Sequence, residues 1–266
     1  MKKITRIATQ KRAGRYNIEL DGRFAFGLSE SVLVKFGLAK GRELDDELIA
    51  RIQHEDDIAQ ALKLALNYLG PSLRTVQQIQ KRLLDKEVQP AIADQVIEQL
   101  KEQGYLDDAS YAKHYLVNKK VFQPKGPLLI SRDLKQAGVS DEIIEATMPD
   151  YTWDEQIEIA SKIASKVARS HRREPQRSQV QRINQSLVQK GFSFDVAQRV
   201  IELLEPEPDP DLAGEFLQRQ AEKLTRRYSR KMSGSSLRYK VKSMLYQKGF
   251  DGDAIDRVLD QVLEQE

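Results

Sequence analysis

A six-residue motif that occurs four times decides the fold of this chain. It reads LLDKEV at residues 83–88, LKQAGV at 134–139, LVQKGF at 187–192 and LYQKGF at 245–250. Consecutive copies lie 51, 53 and 58 residues apart. Two apolar positions keep the same register in every copy, nine residues before the end of the motif (Ile79, Ile130, Ile183, Val241) and four residues after it (Ile92, Ile143, Val196, Ala254). This constant phase indicates a repeated structural unit.

Each repeat predicts three helices. The first carries small and aliphatic residues at helical spacing, as in Ala61, Leu62, Ala65 and Leu66. The second ends at the motif, where a glycine suits the left-handed residue that stops a helix: Gly138, Gly191 and Gly249. The first copy has Glu87 at this position, which predicts a strained or differently shaped turn. The third helix starts directly afterwards with residues that favour helix N-termini: Pro90, Ser140, Asp141, Ser193 and Asp251.

Residues 1–52 follow a different pattern. Apolar and polar residues alternate at 4–7 and 16–20, as in half-buried strands. The pair Asp21-Gly22 between alternating runs predicts a tight hairpin turn, because such turns need positive φ at both positions. Ser29 and Ser31 can cap a short helix. We predict a module of two or three strands and one helix.

The predicted fold is therefore mainly α, a solenoid-like tandem of four three-helix repeats preceded by a small N-terminal β-rich module. Short three-helix units bury little apolar surface alone, so neighbouring repeats should stack. The acidic, proline-rich residues 205–211 suit a semi-rigid linker that would set the fourth repeat at an angle, but we favour an ordinary helix-to-helix connection. The predicted bounds are 1–52 for the module and 53–108, 109–151, 152–206 and 207–266 for the repeats.

Several classes of protein are excluded or disfavoured by composition. The 266 residues contain no cysteine, which excludes disulfides and thiolate metal sites. No stretch approaches the length of a membrane-spanning helix and the basic N-terminus lacks an apolar signal-peptide core, so we expect a cytoplasmic protein. His54, His114 and His171 lie in different repeats, without metal-ligand spacing. With no phosphate-binding loop or nucleophile motif, we expect no enzyme, metal or cofactor.

The pair Asp107-Asp108 leaves two interpretations open. Two adjacent carboxylates can hold a metal ion, but they also suit the start of a helix near residue 109. In the second interpretation, one aspartate caps the helix and the other interacts with its positive N-terminus. We favour the capping interpretation.

Basic residues are segregated although the net charge is only +3. Residues 223–248 hold nine Lys and Arg and no Asp or Glu. Related clusters recur at the end of each repeat's first helix and run into its second. We define these residues as the basic edge: Arg74, Lys81, Arg82, Lys119, Lys120, Lys125, Arg132, Arg169, Arg172, Arg173, Arg177, Arg182, Arg226, Arg227, Arg230, Lys231, Arg238, Lys240 and Lys242.

Repetition of the basic edge at one phase favours a binding surface for a polyanion or for the acidic face of a protein. The alternative is a solvated helical face balanced by nearby acids. Tyr228, Tyr239 and Tyr246 are interleaved with the last basic cluster. They could stack on nucleic-acid bases, but tyrosines at helical spacing are more often packing residues.

The repeats, the segment GYLDD at 104–108 followed by Tyr111-Ala112, and the KG turns resemble the RecX family of regulators of the RecA recombinase. The N-terminal module resembles the extension of longer Gram-positive members. The shorter members have three repeats, so the fourth copy is a departure in length. The resemblance implies a non-enzymatic protein, expected to be a monomer, that lies in the groove of the RecA–DNA filament. It also implies restraint of RecA's ATP hydrolysis and strand exchange in recombination and DNA repair.

An alternative function remains open from the residues. Three short helices with a glycine-bearing turn also resemble helix-turn-helix units. The chain could therefore be a DNA-binding repeat protein that acts without RecA. In both cases the expected partners include DNA phosphates, and the basic edge is the predicted contact surface for RecA, DNA or both.

Overall fold

The computed structural model describes residues 1–11 and 13–263. The last three residues of the predicted fourth repeat, 264–266, lie outside the described residues. The chain forms two compact units. The first contains Met1–His114 and Leu134–Ile144, and the second contains Tyr115–Asp133 and Glu145–Glu266.

The N-terminal module is an antiparallel sheet with strand order β3-β2-β1-β4. Its elements are β1 (Lys2–Thr9), β2 (Arg15–Leu20), β3 (Arg23–Ser29), α1 (Glu30–Lys35) and β4 (Glu43–Leu44). We predicted two or three strands, whereas the described residues form four. Strand β4 spans only two residues, which is too short for an alternating pattern to reveal.

The Asp21-Gly22 turn confirms the predicted hairpin. Both residues have positive φ, 48° and 80°, and β2 pairs with β3 on either side of them. The buried side of the module contains Ile4, Ile18 and Leu28, each fully inaccessible to solvent. These side chains form a core with Ile52 from the helix that follows. The module therefore packs on the start of the first repeat.

Twelve further α-helices follow within the described residues and form four three-helix repeats, which confirms the predicted fold class. The helices of the first two repeats are α2 (Asp46–Leu69), α3 (Val76–Leu84), α4 (Pro90–Glu102), α5 (Asp108–Val121), α6 (Pro127–Gln136) and α7 (Asp141–Thr147). Those of the last two are α8 (Trp153–Ser170), α9 (Gln176–Gln189), α10 (Phe194–Leu204), α11 (Pro210–Tyr228), α12 (Gly234–Gln247) and α13 (Gly252–Leu263). No helix of the described chain is long and apolar enough to cross a membrane.

The repeated motif forms the same helix end in all four repeats. The amide of its last residue donates to the carbonyl of its first, at 3.1 Å for Val88–Leu83 and Phe192–Leu187 and 3.3 Å for Phe250–Leu245. A second bond runs from the glycine position to the residue three before it, as from Gly191 to Val188 at 2.9 Å. These two bonds define the Schellman motif, and the apolar first and last residues pack together beneath it. The sequence motif is therefore a helix C-cap.

The residue in the fifth position of the motif has positive φ in every repeat. The three glycines lie at φ 91°, 86° and 89° for Gly138, Gly191 and Gly249. Glu87 adopts the same left-handed region at φ 61°. A side chain with a Cβ atom is strained in this region by about 1–2 kcal/mol, as the sequence predicts for the first turn.

Consecutive repeats meet at this turn. The N-terminal end of one repeat's second helix hydrogen-bonds the carbonyl immediately before the next repeat's glycine. Thr75 Oγ1 donates to Ala137 O at 2.5 Å, Gly126 N to Lys190 O at 2.7 Å, and Ser178 Oγ to Lys248 O at 2.8 Å. The donor is a hydroxyl in two of these contacts and a backbone amide in the third, but the acceptor is always the carbonyl before the glycine. We call each of these contacts a junction.

Candidate binding surface

The basic edge is best defined in the last two repeats, where it lies around the corner between the first and second helices. In the third repeat it follows the last turn of α8, the connecting loop and the start of α9. In the fourth it follows α11, its loop and α12. Cations at the C-terminal end of a helix also interact favourably with its dipole, so their position does not show whether they bind a ligand or stabilise the helix. We therefore compare the partners of each side chain, because a cation without an acidic partner is free to bind an external anion.

The corners of the last two repeats carry exposed cations without acidic partners. Within the described part of the chain, no ion pair involves the following exposed residues: Arg169, Arg172, Arg173, Arg177, Arg226, Arg227, Arg230 and Lys231. Arg173 lies over the ring of Phe216 at 5.3 Å, and Arg227 lies over Tyr228 at 5.7 Å. Such stacking holds a guanidinium in place while leaving its N–H groups available. This set is the part of the basic edge best suited to an external anion.

Other cations of the third and fourth repeats are neutralised internally. Arg238 pairs with Asp260 at 2.5 Å, and Lys242 pairs with Asp256 at 2.5 Å. The hydrogen bond from Lys242 lowers the pKa of Asp256 and so favours its ionised form. Arg182 pairs with Glu174 at 3.4 Å. Lys240 differs from these residues, because it lies over Tyr228 at 5.8 Å and has no acidic partner among the described residues.

The second repeat uses most of its cations in structural contacts. Lys120 pairs with Glu155 at 2.7 Å and its side chain is only 14% exposed. Lys125 pairs with Asp133 at 2.5 Å. Burial raises the pKa of Asp133, but hydrogen bonds from Lys125 and from the hydroxyl of Tyr115 outweigh it and hold that pKa below its ordinary value. These two lysines are therefore poor candidates for an external ligand.

The remaining predicted residues of the first two repeats have mixed roles. Arg74 and Arg82 both lie over the ring of Tyr68, at 4.4 and 5.4 Å. Lys119 donates to Gln123 at 2.5 Å. Arg132 is exposed with Asp133 at 3.9 Å. Lys81 is exposed on the last turn of α3.

The interleaved tyrosines separate into two groups. Tyr228 is half-buried against the core of the fourth repeat, as a packing residue would be. Tyr239 and Tyr246 are 77% and 62% exposed. They lie seven residues apart on α12, which places them on one face two turns apart. The packing interpretation therefore fits Tyr228, while the other two rings are available for stacking.

Asp107 and Asp108 have separate hydrogen-bonding roles. Asp107 accepts from the amides of Ala109 and Ser110 at 2.9 and 3.2 Å, which makes it the cap of α5. Asp108 instead accepts from the amide of Val76 at 2.9 Å, at the start of α3. Burial raises the pKa of Asp108. The expectation that Asp108 serves its own helix missed this bond, because sequence does not show which helix start lies next to it.

The described residues contain no group of three or more potential metal ligands. His54 and His114 are exposed. His171 is half-buried and its Nδ1 lies 2.9 Å from Glu174 Oε1, a local contact within the α8–α9 loop.

Lys190 and Lys248, which the sequence did not assign to the basic edge, lie next to it in the structure. The junctions bring the backbone of Lys190 to Gly126, next to Lys125, and the backbone of Lys248 to Ser178, next to Arg177. Both lysine side chains are exposed. The repeated KG pair of the motif is the signal that could have identified them, since it places a cation at each of these turns.

The helical repeats and the N-terminal sheet match models of one protein family. The N-terminal domain model of regulatory protein RecX matches residues 2–45. The first and second RecX three-helix domain models match residues 61–100 and 107–148. The third matches twice, at 154–201 and 217–259. This chain belongs to the RecX family of regulatory proteins.

Full-length relatives agree with this assignment. The regulatory protein RecX of Leuconostoc mesenteroides is 53% identical over 262 residues, covering 98% of each chain. That of Leuconostoc citreum is 51% identical and covers 100% of this chain and 99% of the relative. That of Bacillus licheniformis is 38% identical over 97% of this chain and 98% of the relative.

Two crystal structures share the fold. A regulatory protein RecX structure is 37% identical and aligns with a TM-score of 0.64 over 76% of this chain and 100% of that chain. A RecX structure from Lactobacillus salivarius is 30% identical, with a TM-score of 0.55 over 57% of this chain and 98% of that chain. The double match of the third-domain model shows that the fourth repeat is similar to the third.

Proposed function

We propose that this RecX-type regulator is a non-enzymatic, cytoplasmic protein that binds the RecA recombinase filament, in its helical groove, and inhibits its ATP hydrolysis and strand exchange. The observation that carries the proposal is the set of exposed, unpaired cations at the corners of the third and fourth repeats. They suit the phosphates of the filament's DNA or an acidic surface of RecA. The resemblance to the RecX family supplies the identity of the partner.

Inhibition needs no catalytic residue in this scheme. A chain seated in the groove excludes the incoming duplex and opposes the subunit motion that accompanies ATP hydrolysis. Free energy of binding to one filament state is sufficient to shift the filament toward that state. The exposed rings of Tyr239 and Tyr246 add stacking contacts to bases of a single strand.

The test measures RecA's single-strand-dependent ATPase and strand exchange with increasing protein. Inhibition at stoichiometric ratios supports the proposal, and unchanged rates contradict it. Glutamine at Arg226, Arg227, Arg230 and Lys231 should raise the half-inhibitory concentration by on the order of tenfold, about 1.4 kcal/mol of binding free energy.

A matched control removes the same number of charges elsewhere. Glutamine at Lys101, Lys162, Arg199 and Arg219 breaks four exposed ion pairs with nearby residues of the same helix. Such pairs contribute little to stability, so this variant should fold and inhibit like the wild type. Equal losses in both variants would indicate a general charge effect and contradict the assignment of the surface.

The alternative is a DNA-binding repeat protein that acts without RecA, favoured by the same unpaired cations. It predicts sequence-selective DNA binding that persists at about 200 mM salt without RecA. Weak and steeply salt-dependent binding is instead expected of phosphate contacts alone. Binding measurements across a salt series in the absence of RecA distinguish the two.

A further inference from the structure

The glycine of the motif has a second role besides its backbone conformation. In each junction the preceding repeat lies directly on it. A Cβ atom at Gly138 would lie 2.4 Å from the side chain of Gln77, and one at Gly191 would lie 2.4 Å from Leu129 Cβ. At Gly249 the distance to Arg177 Cβ would be 3.2 Å. Distances below 3 Å are overlaps, so the first two junctions require a turn without a side chain, and the third leaves only a tight contact.

The first repeat departs from this rule at Glu87. Among the described residues no three-helix repeat lies on its turn, and Glu87 is exposed. A cavity of about 290 Å³ lies between the turn and α2, lined by Ala61, Leu64 and Ile92 among others. The carbonyl of Lys86 occupies the position that accepts the junction hydrogen bond in the other repeats. The first turn thus has the backbone conformation and the acceptor carbonyl of a junction, but it carries the side chain of Glu87 where the other turns have glycine.

The other side of a junction is the start of a repeat's second helix, which supplies the hydrogen-bond donor. In the fourth repeat this helix start belongs to α12 and is exposed. Ser236 lies fourteen residues before the end of its motif, as Ser178 does in the third repeat, where the hydroxyl donates across the junction at 2.8 Å. Ser236 is exposed, and among the described residues no further repeat covers this helix start. The fourth repeat therefore presents the donor of a junction. A turn like that of the first repeat, in a second copy of the chain, is its natural counterpart.

We propose that Glu87 is a capping residue that prevents the α12 start of one copy from docking on the first turn of another. Such a contact would join different surfaces of two copies, and contacts of this kind propagate from copy to copy into rings or filaments. At the equivalent positions of the other repeats a Cβ atom would lie 2.4–3.2 Å from the preceding repeat's second helix, so the side chain of Glu87 would obstruct the contact where glycine leaves room. Terminal units of repeat proteins commonly differ from internal ones in order to stop such growth.

The test compares the wild type, E87G and E87A by sedimentation velocity over a concentration series. E87G should self-associate with an association constant at least about tenfold above that of the wild type. E87A keeps the Cβ atom and loses the carboxylate, so it should behave as the wild type does. Since glycine relieves a left-handed residue, E87G should melt no lower than the wild type, which shows that it is folded.

A second substitution identifies the surface involved. In S236E a carboxylate near the helix N-terminus of α12 is compatible with the helix but faces a carbonyl oxygen across the proposed contact. The double variant E87G/S236E should return to the sedimentation behaviour of the wild type. The proposal is overturned if E87G does not associate, if E87A associates as strongly as E87G, or if S236E leaves the association unchanged.

Discussion

The junction geometry makes a quantitative prediction at Gly191. In Gly191→Ala the left-handed backbone costs about 1–2 kcal/mol for a residue with a Cβ atom. The new methyl group would also lie 2.4 Å from Leu129 Cβ and 2.6 Å from the backbone nitrogen of Leu129. Backbone atoms cannot move aside without opening the junction, which adds about 1–3 kcal/mol of overpacking. The free energy of unfolding should therefore fall by about 2–5 kcal/mol.

Gly104 provides the matched control. It has φ 73°, it ends α4 with the same type of turn, and a Cβ atom there would meet nothing within 4 Å. Gly104→Ala should cost only the backbone strain, about 1–2 kcal/mol. Urea unfolding followed by circular dichroism measures both variants. If the two substitutions destabilise the chain equally, the overlap at the junction contributes nothing and the reasoning is refuted.

Three further predictions test other parts of the structure. Gly126→Ala places a methyl group 2.2 Å from Gly191 O at a position without positive φ, so its destabilisation, about 1–3 kcal/mol in urea unfolding, comes from overlap alone. Hydrogen bonds from the Ser110 hydroxyl and then the Ser110 amide lower the pKa of Asp107. Asp107→Asn keeps a capping oxygen but loses the charge, so its free energy of unfolding should fall by only about 0.5 kcal/mol at pH 7 and should converge with that of the wild type as pH falls below the ordinary value of 3.8. Alanine at Tyr239 and Tyr246 should weaken single-strand binding about tenfold or more in anisotropy titrations, whereas phenylalanine should retain it.

The sequence is sufficient to predict the repeat and its helix ends. The spacing of the motif identifies four units, and glycine in its fifth position predicts a left-handed C-cap, as found at Gly138, Gly191 and Gly249. The Asp21-Gly22 hairpin is equally local. These features are readable because they depend on residues within one or two turns of each other. The two-residue strand β4 is not, since its pairing with β1 spans about forty residues.

Features that depend on contact between repeats could not be predicted in the same way. The glycine pattern predicts a backbone conformation, but it does not show that a preceding repeat packs on the glycine. That contact distinguishes the three glycine turns from the first turn, which carries Glu87. Likewise, the bond from Val76 to Asp108 joins two repeats. The basic edge shows the same limit, because charge spacing identified Lys120 and Arg172 alike. Only the positions of Glu155 and the other acids separate the paired lysine from the unpaired arginine.

The junctions and the basic edge share residues in the second unit of the chain, and this has a consequence for binding. Arg177 contributes its Cβ atom to the contact with Gly249, while its exposed side chain belongs to the basic edge. Lys248 is held beside it by the hydrogen bond from Ser178. The junction therefore holds the backbones of these two residues close together, while their side chains remain exposed. An anion bound by both would stabilise that contact, because a ligand that binds only the joined form adds its binding energy to it. Opening the junction at Gly249 should accordingly weaken binding even though it removes no charge.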